Sequence, residues 1–134
     1  MKENSQPTNM SQREFGLSPR IQALLDSETP DWSTVTLDNV HDAFKQLKGL
    51  MSRNRRRNMA VADAERAKTM GRYIFTLLRI KAAKWAERGE EALCDAITRT
   101  RSSLHKSESM GLYTEIFLNF LLAEASKLEE QKSQ

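Results

Sequence analysis

Apolar residues along this chain recur at helical spacing from about residue 18 to about residue 130, and no segment shows the alternating spacing of a strand. The clearest stripe lies in "TLDNVHDAFKQLKGLM", where Leu37, Val40, Phe44, Leu47 and Met51 follow at steps of three and four. These side chains share one face of an amphipathic helix, narrow enough for a coiled-coil-like seam. Thr36 stands where an N-cap belongs, and Asp38 and Asp42 put negative charge at the positive end of the helix dipole. The helix is expected to stop within "SRNRRRN".

Upstream, "SPRIQALLDS" offers Ser18 as N-cap, Pro19 at the first helical position and apolar Ile21, Leu24 and Leu25, which predicts a short helix. "ETPDWSTV" reads as a loop, with Trp32 expected to pin the N-terminal arm to the body. Residues 1–17 have no periodicity and are rich in polar residues, so they are expected to form a flexible arm. Residues 18–134 are expected to form a single helical domain.

Downstream, a second long helix is expected from about Met59 to Arg88, closed by Gly89 as a C-terminal cap. At roughly 100° per residue, Ala67, Met70, Ile74, Leu77, Leu78 and Trp85 fall on one arc. Lys68, Arg72 and Arg79 fall opposite, with Phe75 at their border. "EEALCDAITRTRSSLH" carries Leu93, Ala96, Ile97, Thr100 and Leu104 on one face. "KSESMG" breaks the pattern, with Ser107 a possible cap. In "LYTEIFLNFLLAEASKLEE", Ile116, Phe117, Leu118, Phe120, Leu121 and Leu122 nearly encircle the helix. Such a helix is either central to a bundle or an interface with another chain. Phe117, Leu118, Leu121 and Leu122 are the candidate interface residues. The expected fold is all-α: a bundle of about four main helices with a flexible N-terminal arm.

The chain's 134 residues, 39% hydrophobic and 29% charged, suit one soluble globular domain with a modest core. No apolar run is long enough to span a membrane, and the polar N-terminus lacks the apolar stretch of a signal peptide. A single cysteine, Cys94, cannot close an internal disulfide. The expectation is therefore a cytoplasmic protein with no membrane partner.

Few residue patterns suggest catalysis. His41 sits between acids in the first turn of a helix, where a solvated histidine is ordinary. His105 and Glu108 have helical metal-pair spacing, but the helix is expected to break there, and a catalytic zinc needs three protein ligands. Ser102 and Ser103 lie too close to His105 in sequence for a nucleophile–base arrangement, with no orienting acid. The five glycines are scattered singly, so no phosphate loop is present. Cys94 is read as a small core residue on the apolar side of its helix. No catalytic residue, metal site or cofactor is expected, and the protein is not read as an enzyme.

Charge changes the picture more than composition does. Residues 1–44 hold three basic against seven acidic residues, residues 45–101 fifteen against six, and residues 102–134 three against five. A basic centre between acidic ends suggests a face for a polyanion, although the ends could also fold over that centre or pair with neighbouring copies. Two features carry the excess. "SRNRRR" packs Arg53, Arg55, Arg56 and Arg57 into five positions. Clustered guanidiniums bind phosphates bidentately, but arginines ending a helix also offset its dipole, a task that needs one or two cations. From Arg66 to Lys84 there are Arg66, Lys68, Arg72, Arg79, Lys81 and Lys84 and no acid. A merely solvated helix face usually mixes signs. Lys81, Lys84 and Arg88 lie nearer the apolar arc, where long stems can snorkel past its edge. Phe75 and Tyr73 are the few aromatic candidates for stacking, and Tyr73 reads equally as core. Backbone binding is favoured over base reading.

Three passages also resemble the small helical subunit of type III CRISPR effector complexes. "TLDNVHDAFKQLKGLM" is similar to that family's opening amphipathic helix, "LLRIKAAKWAERGEE" to its basic helix, and "YTEIFLNFLLAEASKLEE" to its closing apolar helix. Together they cover about residues 36–130. Departures include Arg88 preceding Gly89, where the family has glycine first, and Ala83 and Lys84 where tyrosines are expected. The helical domain of GINS replication-factor subunits has a similar layout. The CRISPR resemblance implies a non-catalytic subunit in antiviral defence that stacks along a filament, with Arg79, Lys81 and Arg88 touching a nucleic-acid backbone.

The expected function is a non-catalytic subunit of a nucleoprotein assembly. It would contact RNA or single-stranded DNA through Arg53, Arg55, Arg56, Arg57, Lys68, Arg72, Arg79, Lys81 and Arg88, and meet other protein subunits. The alternative is a helical protein–protein adaptor or small regulator that binds an acidic partner surface.

Overall fold

The computed structural model describes residues 16–56, 61–104 and 111–133, with side chains described for all of these except 52–56, 61–64 and 133. The chain is all-α. Five helices occur among the described residues: α1 (Pro19–Asp26), α2 (Leu37–Arg56), α3 (Val61–Glu87), α4 (Glu90–Ser103) and α5 (Gly111–Ser133). Packing divides the chain into two units, Met1–Leu77 and Leu78–Gln134, with the division inside α3. The expected arm lies outside the described residues up to position 15, and Leu17, its last residue, is buried.

In the first unit, side chains close the starts of α1 and α2. Ser18 is extended, and its Oγ accepts from the Ile21 N–H at 3.3 Å while Pro19 opens α1. At α2 the cap is reciprocal. Thr36 Oγ1 accepts from the Asn39 N–H at 3.1 Å, and Asn39 Oδ1 accepts from the Thr36 N–H at 3.4 Å. This is the capping-box arrangement with asparagine in the place of the usual Glu or Gln. The loop between them is closed by Asp31 Oδ1, which accepts from the Ser33 N–H and Oγ–H, and by Arg20, which donates to the Thr34 carbonyl. Leu37, Val40, Phe44 and Leu47 of the expected stripe are buried and form the inner face of α2, while Met51 is half-buried. From α3 come Met70, Tyr73, Ile74 and Leu77.

Gln22 is 1% exposed, and its Nε2 donates to Asp26 Oδ2 at 3.1 Å and to Tyr73 Oη at 3.0 Å. Tyr73 in turn donates its phenolic proton to Asp26 Oδ1. The triad ties α1 to α3 across 47 and 51 residues of sequence. The carboxylate fixes the amide's orientation: turning it over would set its oxygen against Asp26. Tyr73 is therefore core, the second of its two sequence readings.

In the second unit, Gly89 joins α3 to α4 with φ +112° and ψ 166°, a backbone region open essentially to glycine alone. Its N–H bonds the Ala86 carbonyl, and its own carbonyl accepts from Leu93, so the expected C-terminal cap also starts the next helix. The core is Ala82 from α3, Leu93, Ala96 and Ile97 from α4, and Leu118 and Leu121 from α5. Thr100 of α4 is also buried, and its hydroxyl donates to the Ala96 carbonyl at 2.7 Å. Glu90 near the start of α4 pairs with Lys132 near the end of α5, so the two helices run antiparallel. Each charge also suits the dipole at its own helix end.

Leu121 is 0% exposed within this core, and Leu121→Ala should cost about 2–5 kcal/mol of stability by removing its methyl groups and leaving a cavity. Chemical denaturation followed by circular dichroism checks this. Burial, with the Asp26 carboxylate beside it, pushes the Tyr73 hydroxyl up from 10.0 to about 12. The unfolded chain therefore loses this proton first. The stabilisation is complete below about pH 10 and should be lost as pH rises toward about 12. Tyr73→Phe should be less stable at neutral pH by about 1–3 kcal/mol, because Asp26 and Gln22 lose a partner, and should show a smaller decline over the alkaline window. Denaturant titrations of both proteins from pH 8 to 12 measure this difference.

Candidate nucleic-acid interface

The cations of the first unit are sorted by the phase of the helices that carry them. α2 continues through Arg53 and Arg55 and ends at Arg56, within the expected segment. The side chains of these three arginines, and all of Arg57, lie outside what is described. On α3, burial of Met70 and Ile74 turns Lys68 and Arg72 outward, and both are exposed. Lys68 Nζ lies 3.4 Å from Glu65 Oε1, with both side chains about three-quarters exposed. Such a pair is worth about 0–1 kcal/mol and yields readily to a competing phosphate. Arg72 makes no ion pair among the described residues. Arg66 differs: it is half-buried, with its Nε inaccessible. Phe75, expected at the border of the apolar arc, is 49% exposed. A half-open cleft of about 200 Å³ is lined by Ser18, Ile21, Asn39, Asp42, Ala43 and Gln46. With one carboxylate and no cation in its lining, it suits no phosphate.

In the second unit, Arg79 is exposed and makes no ion pair among the described residues. Lys81 is half-buried, with Nζ 4.8 Å from the centre of the Phe117 ring. Lys84 is only 7% exposed and reaches Glu87 Oε1 at 3.8 Å. Its stem is thus packed, as expected for a lysine at the margin of an apolar arc, and its charge is partly committed inside the protein. Arg88, just past the end of α3, is exposed and lies over the Trp85 ring at 5.2 Å. Arg99 of α4 lies over the same ring at 5.3 Å. Sequence reasoning did not select Arg99. Its signal was faint: at roughly 100° per residue it flanks the apolar face of α4, one helical turn after Ala96.

Two expectations change. Leu118 and Leu121 were candidate interface residues, but they are 9% and 0% exposed inside the core and offer no contact area to another chain. Phe117 and Leu122 are half-buried at the edge of that core. Cys94 was placed on the apolar side of α4, yet it is exposed. It follows Leu93 by one helical step, roughly 100°, which carries it past the buried face. His41 is exposed; His105, Ser107 and Glu108 lie outside the described residues.

Lys132 is held protonated above its ordinary range, chiefly by its hydrogen bond with Glu90. It is spent on the α4–α5 contact and adds little to any anion site. Among the described residues, no three His, Cys, Asp or Glu side chains come together as a metal site. No helix among them is long and apolar enough to cross a membrane. The arrangement offers exposed guanidinium and ammonium groups with weak or no internal carboxylate partners. Groups of this kind can donate charge-assisted hydrogen bonds to anions such as phosphates.

The chain matches no protein-family model, no curated protein and no solved structure.

Proposed function

We propose that this protein is a non-catalytic helical subunit of a nucleoprotein assembly, gripping the backbone of RNA or single-stranded DNA. The observation that carries the reading is the state of the α3 cations. Lys68, Arg72 and Arg79 are all exposed, and the stretch from Arg66 to Lys84 contains no acid. Arg72 and Arg79 have no ion pair among the described residues, and Lys68 has one weak exposed pair. A solvated face kept only for solubility does not require this one-sidedness, whereas a polyanion does. The resemblance to the small subunits of type III CRISPR effector complexes fits the same role and would place it in antiviral defence. Arg53, Arg55, Arg56 and Arg57 extend the basic segment in sequence, and Arg88 adds an exposed guanidinium in the second unit.

A helical adaptor for an acidic partner is the second reading. It is favoured by the same exposed cations, which suit a carboxylate-rich protein surface as well as a phosphate backbone.

The two readings separate on salt dependence. Each neutralised phosphate of a single strand contributes about 0.7 to the slope of log affinity against log salt. Replacing Lys68, Arg72 and Arg79 together by alanine should lower that slope by about two, with similar losses for unrelated sequences. The measurement is fluorescence anisotropy with labelled single-stranded oligonucleotides over a range of salt. If the parent binds no oligonucleotide at low salt but captures an acidic protein, the adaptor reading takes its place.

A further inference from the structure

Arg88 and Arg99 are eleven positions apart in sequence, one just past α3 and the other on α4. Both guanidinium carbons nonetheless lie over the same indole, at 5.2 and 5.3 Å from the Trp85 centroid. Their separation cannot exceed those two distances added, so both guanidiniums stand beside the one ring. Both side chains are exposed, and neither guanidinium forms an ion pair or hydrogen bond among the described residues. Carboxylates are close in sequence. Glu87, Glu91 and Asp95 are exposed, and none of them pairs with either arginine; Glu87 is engaged with Lys84 instead.

Simple packing does not account for this. Covering a half-buried indole does not by itself call for two charged side chains, yet both arginines lie against it. A second like charge at the same ring adds repulsion in the free protein. What the pair gains is a fixed position. A guanidinium over an aromatic ring keeps N–H groups at its own edge, where they can donate to phosphate oxygens in the bidentate manner that lysine cannot match. Trp85 is itself held by the core cluster of the second unit, so both side chains are ordered before a ligand arrives. Less conformational freedom is then lost on binding.

We propose that Arg88 and Arg99, positioned by Trp85, form a phosphate clamp in the second unit that takes a phosphodiester group of single-stranded nucleic acid. This rests on the nucleic-acid reading above and adds to it a defined point of grip, with Arg99 as a further contact residue.

The chain has two tryptophans, so Trp32→Phe leaves Trp85 as the sole reporter. In that background a uridine 20-mer and inorganic phosphate are titrated separately at low salt while Trp85 emission is followed. The 20-mer should change the emission. Arg99→Gln should weaken binding about tenfold and lower the salt slope by about 0.7. Arg101→Gln is the control: it removes the same charge from an exposed site on the same helix, with no ring contact. It should weaken binding far less. Circular dichroism confirms that each variant is folded. If the 20-mer binds but Arg99→Gln and Arg101→Gln lose affinity equally, or Trp85 emission does not respond, the clamp is overturned and the nucleic-acid reading stands. If phosphate alone elicits an Arg99-dependent response, the phosphate-binding chemistry is upheld and its assignment to a nucleic acid is overturned. If neither ligand binds, both fall.

Discussion

Burial of one arc of α3 is the constraint on which the rest depends. Met70, Ile74 and Leu77 fill the first unit, and Leu78 and Ala82 are buried in the second. A helix has no freedom to bury one face without committing the opposite one. With those five side chains inside, Lys68, Arg72 and Arg79 have to face water. The exposed basic residues are thus a consequence of the hydrophobic phase. What the phase does not require is that the outward positions be basic without an intervening acid. That feature of the sequence is what the proposed backbone contact would account for.

The cations of the second unit show how burial divides similar residues into different tasks. Lys84 is packed and paired with Glu87, and Lys81 lies over Phe117, so both help to cover apolar surface. Lys132 is tied to Glu90. Arg88 and Arg99 share Trp85 and keep their hydrogen-bonding edges available. Charge counts alone would treat these five residues alike. Their partners separate those serving the fold from those able to serve a ligand.

The sequence was most informative where a strong apolar period met a capping residue. Ser18 and Thr36 cap the first two helices, and four of the five stripe residues expected on each of α2 and α4 are buried, Met51 and Leu104 being half-buried toward the C-terminal ends. It was least informative on α5. Apolar residues surround that helix, so no phase distinguishes a core residue such as Leu121 from an edge residue such as Phe117. The reading of Cys94 failed by a single helical step. The Gln22–Asp26–Tyr73 triad and the approach of both Arg88 and Arg99 to Trp85 were not legible, because both depend on how separate helices pack and not on any local period. Asn39 was missed as a capping partner because the usual signature calls for Glu or Gln at that position.

The most direct measurement is a nuclear magnetic resonance titration of the arginine Nε–Hε groups in isotope-labelled protein with an unlabelled single-stranded oligonucleotide. The account predicts that the resonances of Arg72, Arg79, Arg88 and Arg99 shift with the same dissociation constant for two unrelated sequences. Arg66, whose Nε is buried, should stay in place. Unmoved arginine resonances at low salt, or shifts confined to Arg20 and Arg101, would contradict it.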